Sequence, residues 1–244
     1  MAAVVLLPGI VNPARPKFAV LAAELDDVQC EFKDLEIYAD PRIPDDYSFA
    51  DEVEGLHRFV TELGDDPVHL VGYSLGGAIA LAYVAQHPDR VASVALDEPA
   101  TDFTEEDRAL LGSQWMTGLA DLPTDEQMKG FFETMFRPGV EVAPPPPLPS
   151  TPEMALRPAG VATMLRALPR STVDEDALRS YPGPMYLAYG SLSHERFEAM
   201  GARMPTRFPR CTVERFEGRH HLDPPHQAEP ARVATALRAL WSRV

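Results

Sequence analysis

The stretch "VHLVGYSLGGAIALAYVA", residues 68–85, constrains the fold more than any other part of the chain. "VHLV" (68–71) reads as a short strand. A glycine, a tyrosine and a serine later it becomes "LGGAIALAYVAQH" (75–87), which reads as a helix with almost no polar residue from Leu75 to Ala85. A helix apolar on every side needs protein on every side, so it belongs against a sheet and beneath further chain. The turn between them carries Ser74, flanked by Gly72 and Gly76. Holding a serine at the tip of so sharp a turn requires strained backbone and no side chains crowding it. On this stretch alone, Ser74 is either a nucleophile or a small residue filling a tight turn.

The same alternation runs through the first hundred residues. "AVVLL" (3–7) is a strand bounded by Pro8-Gly9, and "ARPKFAVLAAEL" (14–25) has helical apolar spacing. "VQCEFK" (28–33) alternates apolar and polar residues, as a strand with one covered face does. "SFADEVEGLHRFVTELG" is a helix that Ser48 caps and Gly64 closes. "VASVAL" (91–96) is the next strand. Strands alternating with helices predict β-α-β units and a mostly parallel sheet covered on both faces, an α/β fold.

Past residue 100 the pattern changes. Residues 101–180 offer helical stretches, the proline run "APPPPLPSTP" (143–152) and no convincing strand. This predicts a helical cap at 101–180 inserted between two parts of one core, 1–100 and 181–244. Strands resume with "PMYLAYG" (184–190) and "CTVERFEG" (211–218), separated by "HERFEAMGARM", and the last helix is "EPARVATALRALWSRV".

Length and charge bound the function. A chain of 244 residues, 45% hydrophobic and 24% charged, fits one globular domain with an insertion. A formal net charge of −15 argues against nucleic acid and anionic membrane as partners, since both are polyanions. Cys30 and Cys211 sit in no metal-ligand spacing, and buried free thiols are expected over a disulfide. "MAAVVLLPGI" lacks a basic start and breaks at Pro8, so it reads as a strand rather than a signal peptide. With no segment of transmembrane length, the expected location is the cytoplasm.

A serine hydroxyl attacks poorly until a base takes its proton, and that base needs an orienting acid. Gly72-Tyr73-Ser74-Leu75-Gly76 fits G-x-S-x-G, with a strand before and a helix after. For the base, "EGRHHLDPPH" follows the last strand and offers His220, His221 and, further on, His226. His221 is preferred, with His220 its alternative. His220 and His221 are adjacent, with no carboxylate or cysteine at ligand spacing, so no metal is expected. No glycine-rich dinucleotide loop is present, and no cofactor is expected.

The chain resembles the α/β-hydrolase superfamily along nearly its whole length. The nucleophile motif, "LLPGI" (6–10), "DL" (34–35), "HPDRV" (87–91) and the late histidine fall in the family's order. The resemblance implies an oxyanion hole made by the backbone N–H groups of Leu75 and Ile10. Pro8 stands where many members have histidine, which alters the pocket rim and leaves the amide donor. Many members also begin with two further strands, for which this chain has no room before Ala3. Strand 28–33 is then expected at a sheet edge, where Glu31 and Lys33 discourage pairing or where a homodimer forms.

The acid departs from the common pattern. Much of the family places an aspartate after the strand near residue 190, where this chain has Gly190-Ser191-Leu192-Ser193. Some members place it after the preceding strand, and aligning "DRVASVALDEP" on them puts Glu98 in that position. Asp97, Glu195 and Asp223 are the alternatives. The resemblance then implies a Ser-His-Glu site that transfers an acyl group to water. The cap brings Trp115, Met116, Phe132, Met135, Met154 and Met164, which predict a largely apolar pocket. The expected substrate is a small or medium hydrophobic ester, thioester or lactone. Two other readings stay open, a lyase or cyclase of the same fold and a ligand-binding protein with a vestigial site.

Overall fold

A computed structural model describes residues 2–40, 42–100, 121, 124–142, 151–168 and 173–244. In the first half, β1 (Val4–Leu7), α1 (Ala14–Ala23), β2 (Cys30–Phe32), α2 (Phe49–Glu62), β3 (Val68–Tyr73), α3 (Leu75–Gln86) and β4 (Val91–Asp97) alternate as the apolar pattern requires. Between β4 and β5 lie α4 (Thr124–Glu133), α5 (Pro152–Ala155), α6 (Arg157–Ala167) and α7 (Glu175–Arg179). Then come β5 (Met185–Gly190), α8 (Glu195–Arg207), β6 (Cys211–Phe216), α9 (Pro225–Ala228) and α10 (Pro230–Trp241). Trp115, Met116 and residues 143–150 of the proline run lie outside the described residues.

The six strands form one parallel sheet in the order β2-β1-β3-β4-β5-β6. Successive residues of each inner strand feed opposite faces. Val5, Leu7, Leu70, Leu96 and Leu187 join the core that contains α2, α3 and α8. Val4, Leu6, Val71, Ala95 and Tyr186 join a second core with α1 and α10. The strand order places β3 and β4, and with them the turns at their ends, at the centre of the sheet.

Helix ends follow local chemistry. The Ser48 N–H donates to Asp51 Oδ2 at 2.7 Å at the start of α2, and Gly64 stops the same helix at φ +119°. β2 occupies a sheet edge, as the sequence led one to expect, but its three residues are all half-buried rather than alternating. As an edge strand β2 has a neighbour on one side only, and Arg15 of α1 lies 4.4 Å from the Phe32 ring. Cys30 and Cys211 are free and only half-buried. They stand on β2 and β6, opposite edges of the sheet, about 24 Å apart at five strand spacings and far beyond disulfide reach.

Candidate active site

Three loops at the carboxyl ends of β3, β4 and β6 converge, and the backbone marks the spot. Among the described residues, Ser74 and Glu98 are the only two non-glycines in the left-handed region, at φ 52° and 47°. Such conformations cost about 1–3 kcal/mol each and persist only where the surroundings fix them. For Ser74, the β4 strand end and the turn after β1 do so. Its N–H donates to Asp97 O at 3.0 Å, its carbonyl accepts from Ala100 N–H at 2.8 Å, and Gly76 N–H donates to Pro8 O at 3.0 Å. The flanking glycines have no substitute. A Cβ on Gly72 would lie 2.5 Å from Gly76 O, and one on Gly76 would lie 2.2 Å from Leu7 O.

The side chains form a buried series. His221 Nε2 lies 3.1 Å from Ser74 Oγ, and His221 Nδ1 lies 2.7 Å from Glu98 Oε2. Glu98 is fully buried, so its other oxygen needs donors as well. Gly190 N–H donates to Oε1 at 2.6 Å, and the Ser193 hydroxyl donates to the same atom. The Glu98 main chain is pinned by its N–H to Ala188 O at 3.0 Å. Burial pushes the His221 pKa below the ordinary 6.5, and its hydrogen bond to Glu98 works against that. At neutral pH the imidazole is therefore uncharged, the form that accepts a proton.

The other sequence candidates lie elsewhere. Asp97 pairs with His226, with Oδ2 2.6 Å from Nδ1. His220 Nδ1 accepts from the Asp223 N–H at 3.1 Å, and its ring meets the edge of Phe136. Asp223 is bound to Arg219 at 3.0 Å, and Glu195 is exposed at the start of α8. Ile10 and Leu75 are buried beside the elbow, and among the described residues neither N–H is paired with an acceptor. Ile10 is held from its carbonyl, which accepts from the Tyr38 hydroxyl at 2.9 Å.

Three supporting residues escaped the sequence reading. The Tyr73 hydroxyl donates to His221 O at 2.5 Å and steadies the histidine loop. It is the variable residue of G-x-S-x-G, so the motif gives no hint of that role. Tyr38 likewise belongs to no motif. Ser193 carried a signal, since it stands where an acid is usual, yet its service as a donor to Glu98 depends on the approach of two strand ends. Residues between β4 and β5 also reach the site. The His194 N–H donates to Met135 O at 3.0 Å, the Arg137 N–H donates to Leu192 O at 3.2 Å, and Val161, Met164 and Leu165 of α6 share a core with Ile10 and Leu75.

The alpha/beta hydrolase fold family model matches residues 37–143, a stretch that contains the Ser74 turn and Glu98. With the parallel sheet, this gives the chain the α/β-hydrolase fold. Monoacylglycerol lipase ABHD6 of Mus musculus is 33% identical over 111 residues, 45% of this chain and 27% of that protein. Matched segments cover between 17% and 29% of the length of such curated lipase relatives. Among solved α/β-hydrolase-like structures, MenH from S. aureus superposes with a TM-score of 0.72 at 16% identity, over 99% of this chain and 93% of that one. The carboxylesterase CesB (YbfK) from Bacillus subtilis gives 0.64 at 18% identity, over 98% and 83%. Identities this low carry the fold alone. Among the described residues no helix is long and apolar enough to cross a membrane.

Proposed function

We propose that this α/β-hydrolase-fold protein is a serine hydrolase that cleaves a small or medium hydrophobic carboxylic ester, thioester or lactone through an acyl-enzyme. One observation carries the reading: a buried series runs from Glu98 through His221 to Ser74 Oγ in steps of 2.7 and 3.1 Å, ending on a serine held in a strained turn. In this reading His221 Nε2 takes the Ser74 proton as Oγ bonds to the substrate carbonyl carbon. Glu98 accepts from Nδ1–H, which fixes that tautomer, and offsets the positive charge that forms on the ring. The developing oxyanion lies on the N–H groups of Leu75 and Ile10, and such a donor is worth about 3–4 kcal/mol.

The tetrahedral adduct then collapses. The bond from the carbonyl carbon to the leaving oxygen or sulfur breaks, and His221 returns the proton to that leaving group. A water molecule next gives a proton to His221 and attacks the acyl-enzyme; as the second adduct breaks, its carbon–Oγ bond is cleaved, His221 returns that proton to Ser74 Oγ, and the carboxylic acid leaves. The apolar side chains of α6 that share a core with Ile10 and Leu75 support a hydrophobic acyl group. Relatives named as monoacylglycerol lipases favour an oxygen ester.

The test is covalent labelling with a fluorophosphonate, read beside turnover of p-nitrophenyl butyrate. Labelling at Ser74 together with turnover, both abolished by Ser74→Ala, is the expected result. Labelling without turnover of any simple ester moves the assignment to a lyase or cyclase, and no labelling points to a binding protein.

A further inference from the structure

Two carboxylates stand side by side at the end of β4, and each holds a different histidine of the segment that follows β6. Glu98 takes His221, as described, while Asp97 Oδ2 lies 2.6 Å from His226 Nδ1. The second contact is doubled, because the His226 main-chain N–H donates to the same Asp97 oxygen at 3.1 Å. Asp97 and His226 are both buried, yet the acyl-transfer steps use neither.

The geometry around this second pair closes a ring. The His226 imidazole packs against Phe18 at 4.7 Å and Tyr73 at 4.9 Å, between ring centroids, on the α1–α10 side of the sheet. Tyr73 reaches back with its hydroxyl to His221 O. The Asp97 carbonyl accepts the N–H of Ser74 at 3.0 Å. Asp97 thus touches the turn that carries Ser74, the loop that carries His221 and, through one peptide bond, Glu98.

We propose that Asp97 and His226 form a positioning pair that keeps the His221 loop in register with the strand end bearing Glu98 and the turn bearing Ser74. The inference rests on the serine-hydrolase reading of that site. A positioning role needs an oxygen acceptor at Asp97 and does not need its charge. Burial and the neighbouring Glu98 carboxylate push the Asp97 pKa up to about 8, so the ionised form is disfavoured at neutral pH. An asparagine carbonyl oxygen accepts from the same two donors, the His226 N–H and an Nδ1–H tautomer.

The experiment compares wild type, Asp97→Ala and Asp97→Asn by the rate of fluorophosphonate labelling and by kcat and KM on p-nitrophenyl butyrate. Asp97→Ala is expected to lower kcat and the labelling rate by ~10- to 100-fold, with KM within about twofold, because a small misplacement of the base costs rate rather than binding. Asp97→Asn is expected to recover to within about threefold of wild type. His226→Gln removes the ring contact while keeping the main-chain donor, and its expected loss of roughly threefold or more in kcat stands in if Asp97→Ala does not fold. Equal losses in Asp97→Asn and Asp97→Ala overturn the proposal, since the charge would then matter. So does an unchanged kcat in Asp97→Ala or, if that variant does not fold, in His226→Gln. Wild-type protein that neither labels nor turns over ester removes the hydrolase reading and this inference with it, whereas active wild type with unaffected variants removes the inference alone.

Discussion

The Ser193 hydroxyl donates to Glu98 Oε1, the carboxylate oxygen turned away from His221. Residue 193 therefore stands within one carboxylate of the histidine it does not touch. An aspartate placed there should supply the charge from β5 instead of β4. In a Glu98→Ser background, adding Ser193→Asp is expected to raise kcat at least ~10-fold above the single variant, since a correctly placed acid can be worth ~10,000-fold. Steady-state kinetics on p-nitrophenyl butyrate check this. No recovery would mean that residue 193 cannot bring a carboxylate to Nδ1.

Glu98→Gln keeps the volume and an acceptor for the Gly190 N–H but removes the charge. It also allows the wrong imidazole tautomer. The expected result is a kcat lower by ~1,000- to 10,000-fold with KM little altered. If Asp97→Asn proves the more damaging change in the same assay, Glu98 is not the acid.

Catalysis should persist into mild acid. His221 works as the neutral base, so kcat/KM rises with pH as the free enzyme's imidazole loses its proton. Burial holds that pKa below the ordinary 6.5, and the rising limb is therefore centred below pH 6.5. A kcat/KM profile centred above pH 7 would contradict the environment described for this ring.

Asp97 predicts a pH dependence of stability of defined sign. In the unfolded chain its carboxyl ionises near 3.8, whereas in the folded protein it keeps its proton up to about 8. The folded state binds the extra proton across that window, so this contribution to stability is present at low pH and lost as pH rises toward 8. Asp97→Asn cannot ionise. Its melting temperature should fall less than that of wild type between pH 5 and pH 9, as thermal unfolding at several pH values would show. A wild-type curve that falls no more steeply than the variant's would place the ionised form of Asp97 in the folded protein.

Gly76→Ala tests the packing of the serine turn. The new Cβ would stand 2.2 Å from Leu7 O and 2.7 Å from Pro8 O, both main-chain atoms that cannot swing aside. Overpacking of this kind costs about 1–3 kcal/mol, a fall in melting temperature of about 2–12 °C for a chain of this size. Calorimetry reads the fall directly, and an unchanged melting temperature would mean that β1 and α3 have room to part.

Much of this molecule was legible in its sequence, and the reasons are local. The apolar runs "AVVLL", "VHLV" and "VASVAL" became β1, β3 and β4 because a strand buried on both faces needs apolar residues in succession. Gly64 ended α2, and Gly72 and Gly76 bracketed Ser74, because those positions demand a backbone or a clearance that other residues deny. The half-burial of β2 was not legible, since it depends on which strand stands at the sheet edge and on Arg15 of α1 reaching Phe32.

The amino-acid order by itself determined the α/β alternation, the strained serine turn and the short set of histidines and carboxylates able to serve it. The family resemblance already pointed to His221 with Glu98; only the tertiary structure paired His226 with Asp97 and made Ser193 a donor to the acid. Adjacent residues at a strand end face opposite sides of a sheet, and loops far apart in sequence choose between them by where their chains are packed. A choice of that kind leaves no periodicity to read, because it is made across 123 positions between Glu98 and His221 and 129 between Asp97 and His226.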